Sequence, residues 1–149
     1  MRLILVDLPC EKRHHFYPVA LCRPIWELRC GITSLGEKLV AKTGARQVAC
    51  FLPQYMADAY RQPSNWPVND ASQLIGDDLL VVRPRVKAAG LNIPPTGPSQ
   101  IACDADGQCL YARIAKEDLG RLNTSSIEAH LESAEATLLA ADVSPATWD

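Results

Sequence analysis

The sequence lacks several features that would define a function at once. No apolar run approaches the roughly 20 residues that a membrane-spanning helix requires, and the six cysteines form no Cys-x-x-Cys pair. Neither charge is in large excess, since 15 Lys and Arg face 17 Asp and Glu, for a net charge of −2. A membrane protein and a nucleic-acid-binding protein are therefore disfavoured.

The cysteines favour a reducing compartment. Cys50 lies within an apparent strand, and the sequence itself shows no secretory signal. We therefore expect free thiols in a cytoplasmic protein. Cys103 and Cys109 flank a predicted hairpin turn and are placed to face each other.

What is present is an ordinary globular composition with an uneven distribution of charge. The 149 residues are 48% hydrophobic and 21% charged, which suits one domain with a substantial core. Residues 1–50 carry eight Lys and Arg against four Asp and Glu, a balance of +4. A basic first third favours an anionic ligand.

The first 52 residues predict a βαβ unit. Residues 2–7 form an apolar run of the kind found in buried parallel strands, and residues 47–52 form a second one. Between them, Ser34 and Glu37 have the spacing of a capping box that would start a helix over residues 35–42. Gly44 follows where a left-handed residue would end this helix.

The long loop before that helix contains two arginines and a glycine. Loops at the carboxyl ends of parallel strands hold ligands in open α/β sheets, and phosphates bind well near helix N-termini. Arg23, Arg29 and Lys38 are therefore candidates for binding phosphate. The alternative is a structural loop in which Glu27 bridges Arg23 and Arg29. Residue types alone leave both readings open.

The remainder predicts further α/β elements. A strand is expected over residues 77–82, and a β-hairpin over 101–103 and 109–114 with Gly107 at a positive φ. Helices are expected over 53–61, 115–122 and 127–140. Trp66 lies in a loop, where it stacks on a base or, more simply, packs against the sheet.

Residues 17–38 resemble a motif of a known family. They read Y-P-V-A-L-C-R-P-I-W-E-L-R-C-G-I-T-S-L-G-E-K, which is similar to "L-P-L-T-x-T-R-P-x-x-x-L-R-x-G-I-x-T-x-x-E-K-W". That motif opens the N-terminal domain of sugar nucleotidyltransferases related to the N-acetylglucosamine-1-phosphate uridyltransferase, also called UDP-N-acetylglucosamine pyrophosphorylase. Residues 144–149 are similar to the "Y-P-W-D-x-x" that closes this domain.

The resemblance implies a fold and a domain arrangement. It implies a Rossmann-like, three-layer α/β/α domain over residues 1–149, with a mainly parallel sheet plus a β-hairpin, partial relative to the full superfamily fold. Members normally continue into a left-handed β-helix of hexapeptide repeats. Because no such repeats occur here, we expect a piece of a longer protein that forms homo-oligomers through the missing domain.

The resemblance also implies a reaction and its residues. A sugar 1-phosphate would attack a nucleoside triphosphate and release pyrophosphate, with assistance from Mg²⁺. Such a reaction depends on positioning and positive charge, so the absence of a Ser-His-Asp arrangement is no objection. Arg23 and Lys38 would be catalytic, and Arg29, Gly31 and Glu37 would bind substrate.

Two departures from the superfamily pattern keep other functions open. The superfamily carries a Mg²⁺-binding aspartate at the end of a strand equivalent to residues 77–82, and here Arg83 and Arg85 follow that strand. They extend the predicted anion site, whereas no protein metal ligand is predicted. The glycine-rich G-x-G-T-R signature is also missing. The alternatives are a domain that binds a nucleotide or sugar nucleotide without turnover, and a structural module attached to a β-helix acyltransferase.

Overall fold

A computed structural model describes residues 1–94, 96–141 and 145–148. Its strands are β1 (Arg2–Val6), β2 (Gln47–Phe51), β3 (Leu79–Val82), β4 (Gln100–Cys103), β5 (Cys109–Ile114) and β6 (Leu139–Ala140). Its α-helices are α1 (Leu35–Thr43), α2 (Gln54–Arg61) and α3 (Ile127–Thr137), and short 3₁₀ helices include Glu11–Phe16, Ile25–Glu27 and Lys116–Arg121.

The described strands form one mixed sheet in the order β2-β1-β3-β5-β4-β6. Strand β1 pairs in parallel with β2 and β3, β5 pairs antiparallel with β3 and β4, and β6 pairs in parallel with β4. All of these strands except β5 therefore run in one direction. The predicted α/β class, with a mainly parallel sheet and a hairpin, is confirmed.

Alternating side chains place a core on each face of the sheet. Leu3 and Leu5 of β1 pack with Leu39 of α1 and Met56 of α2 on one face. The intervening Ile4 and Val6 pack on the other face, where α3 and the 3₁₀ helix Lys116–Arg121 contribute Ile127, Leu131, Ala134 and Leu119. Because strand residues alternate between faces, a continuous apolar strand requires helices on both sides. The predicted three layers are confirmed.

Helix α1 begins and ends as its sequence predicts. The Ser34 amide donates to Glu37 Oε2 at 2.6 Å, and the Glu37 amide donates to Ser34 Oγ at 3.2 Å, which completes the capping box. Gly44 ends the helix with φ 62°. A Cβ on Gly36 would lie 3.1 Å from Trp26 Cβ, so α1 packs closely on the 3₁₀ helix Ile25–Glu27.

The hairpin of β4 and β5 turns through Gly107, at φ 79°, as predicted. Cys103 and Cys109 are strand partners there. No disulfide joins the cysteines within the described residues.

Some local predictions were wrong. The sequence also predicts a short extended segment over residues 16–21, but the chain turns there, after the 3₁₀ helix Glu11–Phe16. The helix expected over 115–122 is a 3₁₀ helix. On α2, the sequence favours Tyr55, Met56 and Ala59 as the apolar stripe. Met56 is buried as predicted, but Tyr55 is 65% exposed and Ala59 is exposed, and Ala57 is the second buried residue.

Helix α3 is shorter than the sequence pattern predicts. It ends at Thr137 because Leu139 and Ala140 leave the helix to pair with β4. Residues 144 and 149, the two ends of the segment that is similar to the closing motif, lie outside the described residues. None of the described helices is long and apolar enough to cross a membrane.

Candidate functional site

The predicted phosphate loop closes on itself at the start of α1. Arg29 and Ser34 form an antiparallel bridge, and Arg29 Nη1 donates to the carbonyl of Ile32 at 3.1 Å. Lys38 Nζ donates to the carbonyl of Cys30. Gly31 turns the loop with φ 87°. These contacts give the loop a defined shape while most of its side chains stay exposed.

Two cavities adjoin this loop and share a wall. One, of about 260 Å³, is lined by Glu27, Arg29, Ser34, Glu37, Tyr60, Pro63, Ser64, Asn65 and Trp66. The other, of about 280 Å³, is lined by Cys22, Arg23, Pro24, Glu27, Met56, Ala59, Tyr60 and Pro63. Glu27, Tyr60 and Pro63 belong to both. We call the two cavities together the Glu27 groove, with Arg29 in one half and Arg23 in the other.

Glu27 is anchored in this groove by a chain of hydrogen bonds. The buried Trp26 donates through Nε1 to the Tyr60 hydroxyl at 2.9 Å, and that hydroxyl donates to Glu27 Oε1 at 2.7 Å. Burial, chiefly, raises the pKa of Tyr60, so it stays a proton donor. Glu27 therefore does not bridge Arg23 and Arg29 as in the alternative reading, because its carboxylate pairs with Tyr60 and Arg29 pairs with a loop carbonyl.

The start of α1 already carries a negative charge. Glu37 lines the groove, and the hydrogen bond from the Ser34 amide lowers the pKa of its carboxyl, with a smaller contribution from the charge of Arg29. The start of a helix attracts anions, and here the carboxylate of Glu37 already supplies a negative charge at that position. Arginine side chains, rather than the helix terminus alone, must supply the positive charge for a phosphate in the groove.

A second polar cluster covers the carboxyl ends of β1 and β3. Asp7 is buried, accepts from Arg13 Nε at 2.9 Å and accepts from the Ile25 amide at 2.9 Å. Burial raises the pKa of Asp7, although these two hydrogen bonds act in the opposite direction. Arg13 also donates to the carbonyl of Ala20 at 2.7 Å. The pair ties the 3₁₀ helix Glu11–Phe16 and the loop after it to the sheet.

Arg83 and Arg85 lie at the end of β3, beside the hairpin. Arg83 Nε donates to the carbonyl of Cys109 at 3.1 Å. The positive charge of Arg83 also acts to lower the pKa of Asp7. Arg85 is buried and pairs with Asp104, which also pairs with Lys12 at 2.7 Å. Burial acts to raise the pKa of Asp104, but the hydrogen bond from Lys12 and the neighbouring amides outweigh it and lower that pKa to about 2.

The carboxylates at these strand ends do not fit a protein-held magnesium site. Mg²⁺ binds through one or two available carboxylates, and both Asp7 and Asp104 are occupied by cationic side chains. Across residues 1–94, 96–141 and 145–148, no group of three or more His, Cys, Asp or Glu side chains is placed to hold a metal ion. We therefore assign no catalytic step to a metal ligand of this chain.

Comparison with protein families decides the relationship that the motif indicates. The family described as "Sugar nucleotidyl transferase" matches residues 3–147. The chain belongs to this family. The match begins in β1 and ends one residue before the last described one, so it covers the sheet, the Glu27 groove and the strand-end cluster. Nucleotides and sugar phosphates are the substrates that membership in this family implies.

The other comparisons add little to the family assignment. The solved structure of the inositol-1-phosphate CTP transferase from T. maritima aligns with TM-score 0.48 and 9% identity, covering 93% of this chain and 83% of that chain. A search of the curated proteins finds no significant match.

The structure brings together only part of the predicted site. Arg23, Arg29 and Glu37 line the Glu27 groove, and Gly31 and Lys38 shape the loop beside it. Arg83 and Arg85 form a separate group with the hairpin. Sequence reasoning did not select Glu27 or Tyr60 as site residues, because their hydrogen bond joins residues 33 positions apart.

Proposed function

We propose that the chain carries out sugar nucleotidyl transfer with its ligands in the Glu27 groove. A phosphate oxygen of a sugar 1-phosphate attacks the α-phosphorus of a nucleoside triphosphate. The bond from that phosphorus to the bridging oxygen breaks, and pyrophosphate leaves with the electron pair. The observation that carries the proposal is the position of Arg23 and Arg29 in two cavities that share one wall, in a chain of this family.

The groove suits an extended, anionic ligand. Ligand sites typically enclose about 300–1,000 Å³, and each half of the groove lies just below this range. A ligand that spans both halves would place one phosphate near each arginine. Trp66 packs partly against the core on this side of the sheet, and where it lines one half of the groove it would offer an aromatic surface for stacking of a base. A nucleotide joined to a sugar has this length and charge.

The residues have distinct proposed roles. Arg23 neutralises charge that develops on the phosphates during transfer, and Lys38 assists once it leaves the carbonyl of Cys30. Arg29 binds the second phosphate, while Gly31 and Glu37 hold the loop in shape.

Arg83, which is partly exposed, would serve a ligand that reaches the end of β3, whereas the buried Arg85 is paired with Asp104 and supports this end of the sheet. Mg²⁺, if required, would enter with the triphosphate rather than on carboxylates of the protein. Uridine and N-acetylglucosamine are the base and sugar that we expect from the resemblance.

A second candidate function is binding without turnover. It is favoured by the ion pairs at the carboxyl ends of the strands, where Arg13 pairs with Asp7 and both Lys12 and Arg85 pair with Asp104. With Asp7 and Asp104 both paired to cationic side chains, the chain would retain ligand binding through its arginines without using either of these carboxylates to organise a metal. Attachment to a β-helix domain that acts on the same sugar nucleotide fits such a role.

One pair of measurements tests both candidates. Calorimetric titration of UTP, ATP and UDP-N-acetylglucosamine, with and without Mg²⁺, gives affinities for the unaltered chain and for Arg23→Ala and Arg29→Ala. We expect each substitution to weaken binding at least about tenfold, as for the loss of a charged hydrogen bond. Arg121→Ala is the matched control, because that side chain is 68% exposed and belongs to the opposite layer.

The outcomes separate the candidates. Binding that requires Arg23, together with pyrophosphate release from UTP and a sugar 1-phosphate, supports transfer. Binding that requires Arg23 without release supports the binding domain. If none of the nucleotides binds, or if Arg121→Ala weakens binding as much as Arg23→Ala, the groove is not the ligand site.

A further inference from the structure

The side chain of Glu27 occupies an unusual place for a carboxylate. It forms part of the wall between the two halves of the Glu27 groove, with Arg29 lining one half and Arg23 the other. Tyr60 holds one carboxylate oxygen at 2.7 Å. Within the described residues, the other oxygen, Oε2, has no hydrogen-bond partner.

The anchoring of Glu27 is more elaborate than an exposed carboxylate needs. The Tyr60 hydroxyl is itself oriented by Nε1 of Trp26, and the Trp26 side chain is fully buried. An exposed glutamate normally samples several rotamers, so fixing one costs side-chain entropy. These two hydrogen bonds, which start at the buried Trp26, therefore hold the Glu27 carboxylate in place. A side chain that is held in advance in this way is the arrangement expected of a group that binds a ligand.

The chemistry of a carboxylate limits what Glu27 binds. An ionised carboxylate only accepts hydrogen bonds, and it repels phosphate, so the part of an organic ligand that contacts Glu27 directly must be a hydrogen-bond donor rather than a phosphate oxygen. A sugar ring provides such donors in its hydroxyl groups. In a nucleotide or sugar nucleotide, sugar rings lie next to the phosphates that the flanking arginines would hold.

We propose that Glu27 accepts hydrogen bonds from the vicinal hydroxyl groups of a sugar ring and thereby selects ligands that carry an intact diol. This inference rests on the proposed function, since it requires phosphate groups at Arg23 and Arg29. The same chemistry is offered by the ribose of a nucleotide and by the hexose of a sugar 1-phosphate. The ribose is tested by one pair of ligands and the hexose by another.

The test compares discrimination rather than affinity alone. For the ribose, dissociation constants are measured for UTP and for 2′,3′-dideoxy-UTP. For the hexose, they are measured for N-acetylglucosamine 1-phosphate and for its 3-deoxy analogue, which lacks the vicinal 3,4-diol. Each pair is measured with the unaltered chain, Glu27→Gln and the control Glu117→Gln. Glu117 is exposed in the 3₁₀ helix Lys116–Arg121, in the opposite layer.

We expect the unaltered chain and Glu117→Gln to favour the intact diol by about tenfold in at least one pair, as for the loss of one charged hydrogen bond. Glu27→Gln should reduce that ratio to less than about threefold, with little change for the ligand that lacks the hydroxyl. Glutamine retains an acceptor for Tyr60, so the fold should be preserved, and far-ultraviolet circular dichroism verifies this.

The possible failures are distinguishable. If UTP and the sugar phosphates do not bind the unaltered chain, the proposed function fails and this inference fails with it. If they bind in a manner that depends on Arg23, but Glu27→Gln keeps the full preference for the diol, only the role of Glu27 is refuted. Equal loss of affinity for both members of each pair would also refute it, because that result indicates a structural role.

Discussion

Replacement of Tyr60 by phenylalanine tests whether the hydrogen-bonded chain behind the groove stabilises the protein. The substitution keeps the ring, which lies 5.9 Å from the Trp26 ring in an edge-to-face arrangement, and removes only the hydroxyl. Two hydrogen bonds are lost, at 2.9 Å from Trp26 Nε1 and at 2.7 Å to Glu27 Oε1. Glu27 is exposed and regains water, whereas the Trp26 side chain is fully buried.

The magnitude follows from that asymmetry. A buried donor that loses its partner costs about 1–3 kcal/mol, while the exposed acceptor contributes little. We expect the free energy of unfolding to fall by about 2 kcal/mol. For a chain of this length each kcal/mol lowers the melting temperature by about 2–4 °C, so a decrease of roughly 4–8 °C is expected.

The assay is urea unfolding followed by circular dichroism, with thermal melts in parallel. Tyr55→Phe serves as the control, because Tyr55 lies on the same helix and is 65% exposed. The control should remain within about 0.5 kcal/mol of the unaltered chain. If Tyr60→Phe is as stable as Tyr55→Phe, the hydroxyl does not satisfy the buried indole, and the anchoring of Glu27 by this route is wrong.

Two further predictions concern the fold. Burial lowers the pKa of His130 below its ordinary 6.5, so His130 takes up a proton in the unfolded chain before it does so in the folded one as the pH falls. The free energy of unfolding should therefore decrease below about pH 6.5. The urea midpoints measured at pH 7.5 and pH 5.5 should differ less in His130→Gln than in the unaltered chain, and an equal difference would contradict this. Arg113 is buried and donates to the carbonyls of Pro94, Thr96 and Pro98, so Arg113→Met should lower the free energy of unfolding by about 2–4 kcal/mol. The control Arg121→Met breaks only an exposed ion pair and should lower it by less than about 1 kcal/mol. Similar losses of stability in both variants would show that Arg113 does not hold this loop.

The parts of the fold that the sequence predicts are those with short-range determinants. The capping box of α1 depends on residues three positions apart, and the end of this helix depends on Gly44 alone. Strand β1 is apolar on both faces because both are covered, so composition alone is sufficient. The early end of α3 was not predictable in this way, because it depends on pairing between Leu139 and Gln100.

The same distinction between short-range and long-range determinants applies to the candidate site. Arg23 and Arg29 were identifiable because residue type, a glycine-bearing loop and a helix start occur together in one segment. The roles of Glu27 and Tyr60 depend on the packing of α2 against the 3₁₀ helix Ile25–Glu27, which no local pattern encodes. Likewise, Arg85 was expected to face a ligand, and its pairing with Asp104 depends on the hairpin that lies beside β3. The function of Arg23, Lys38 and the other predicted site residues stays a prediction, as do the cytoplasmic location and a further β-helix domain.

The tryptophans lie in different environments, so intrinsic fluorescence can be used to follow ligand binding in the groove. Trp66 lines the groove and Trp26 lies beneath its wall, whereas Trp148 stacks with the Lys87 ammonium, 4.7 Å from the ring centroid. A base that stacks on Trp66 should quench its emission, and the fully buried Trp26 should emit at shorter wavelength throughout. Intrinsic fluorescence in Trp148→Phe would thus report occupancy of the groove without a label, at concentrations far below those that calorimetry requires.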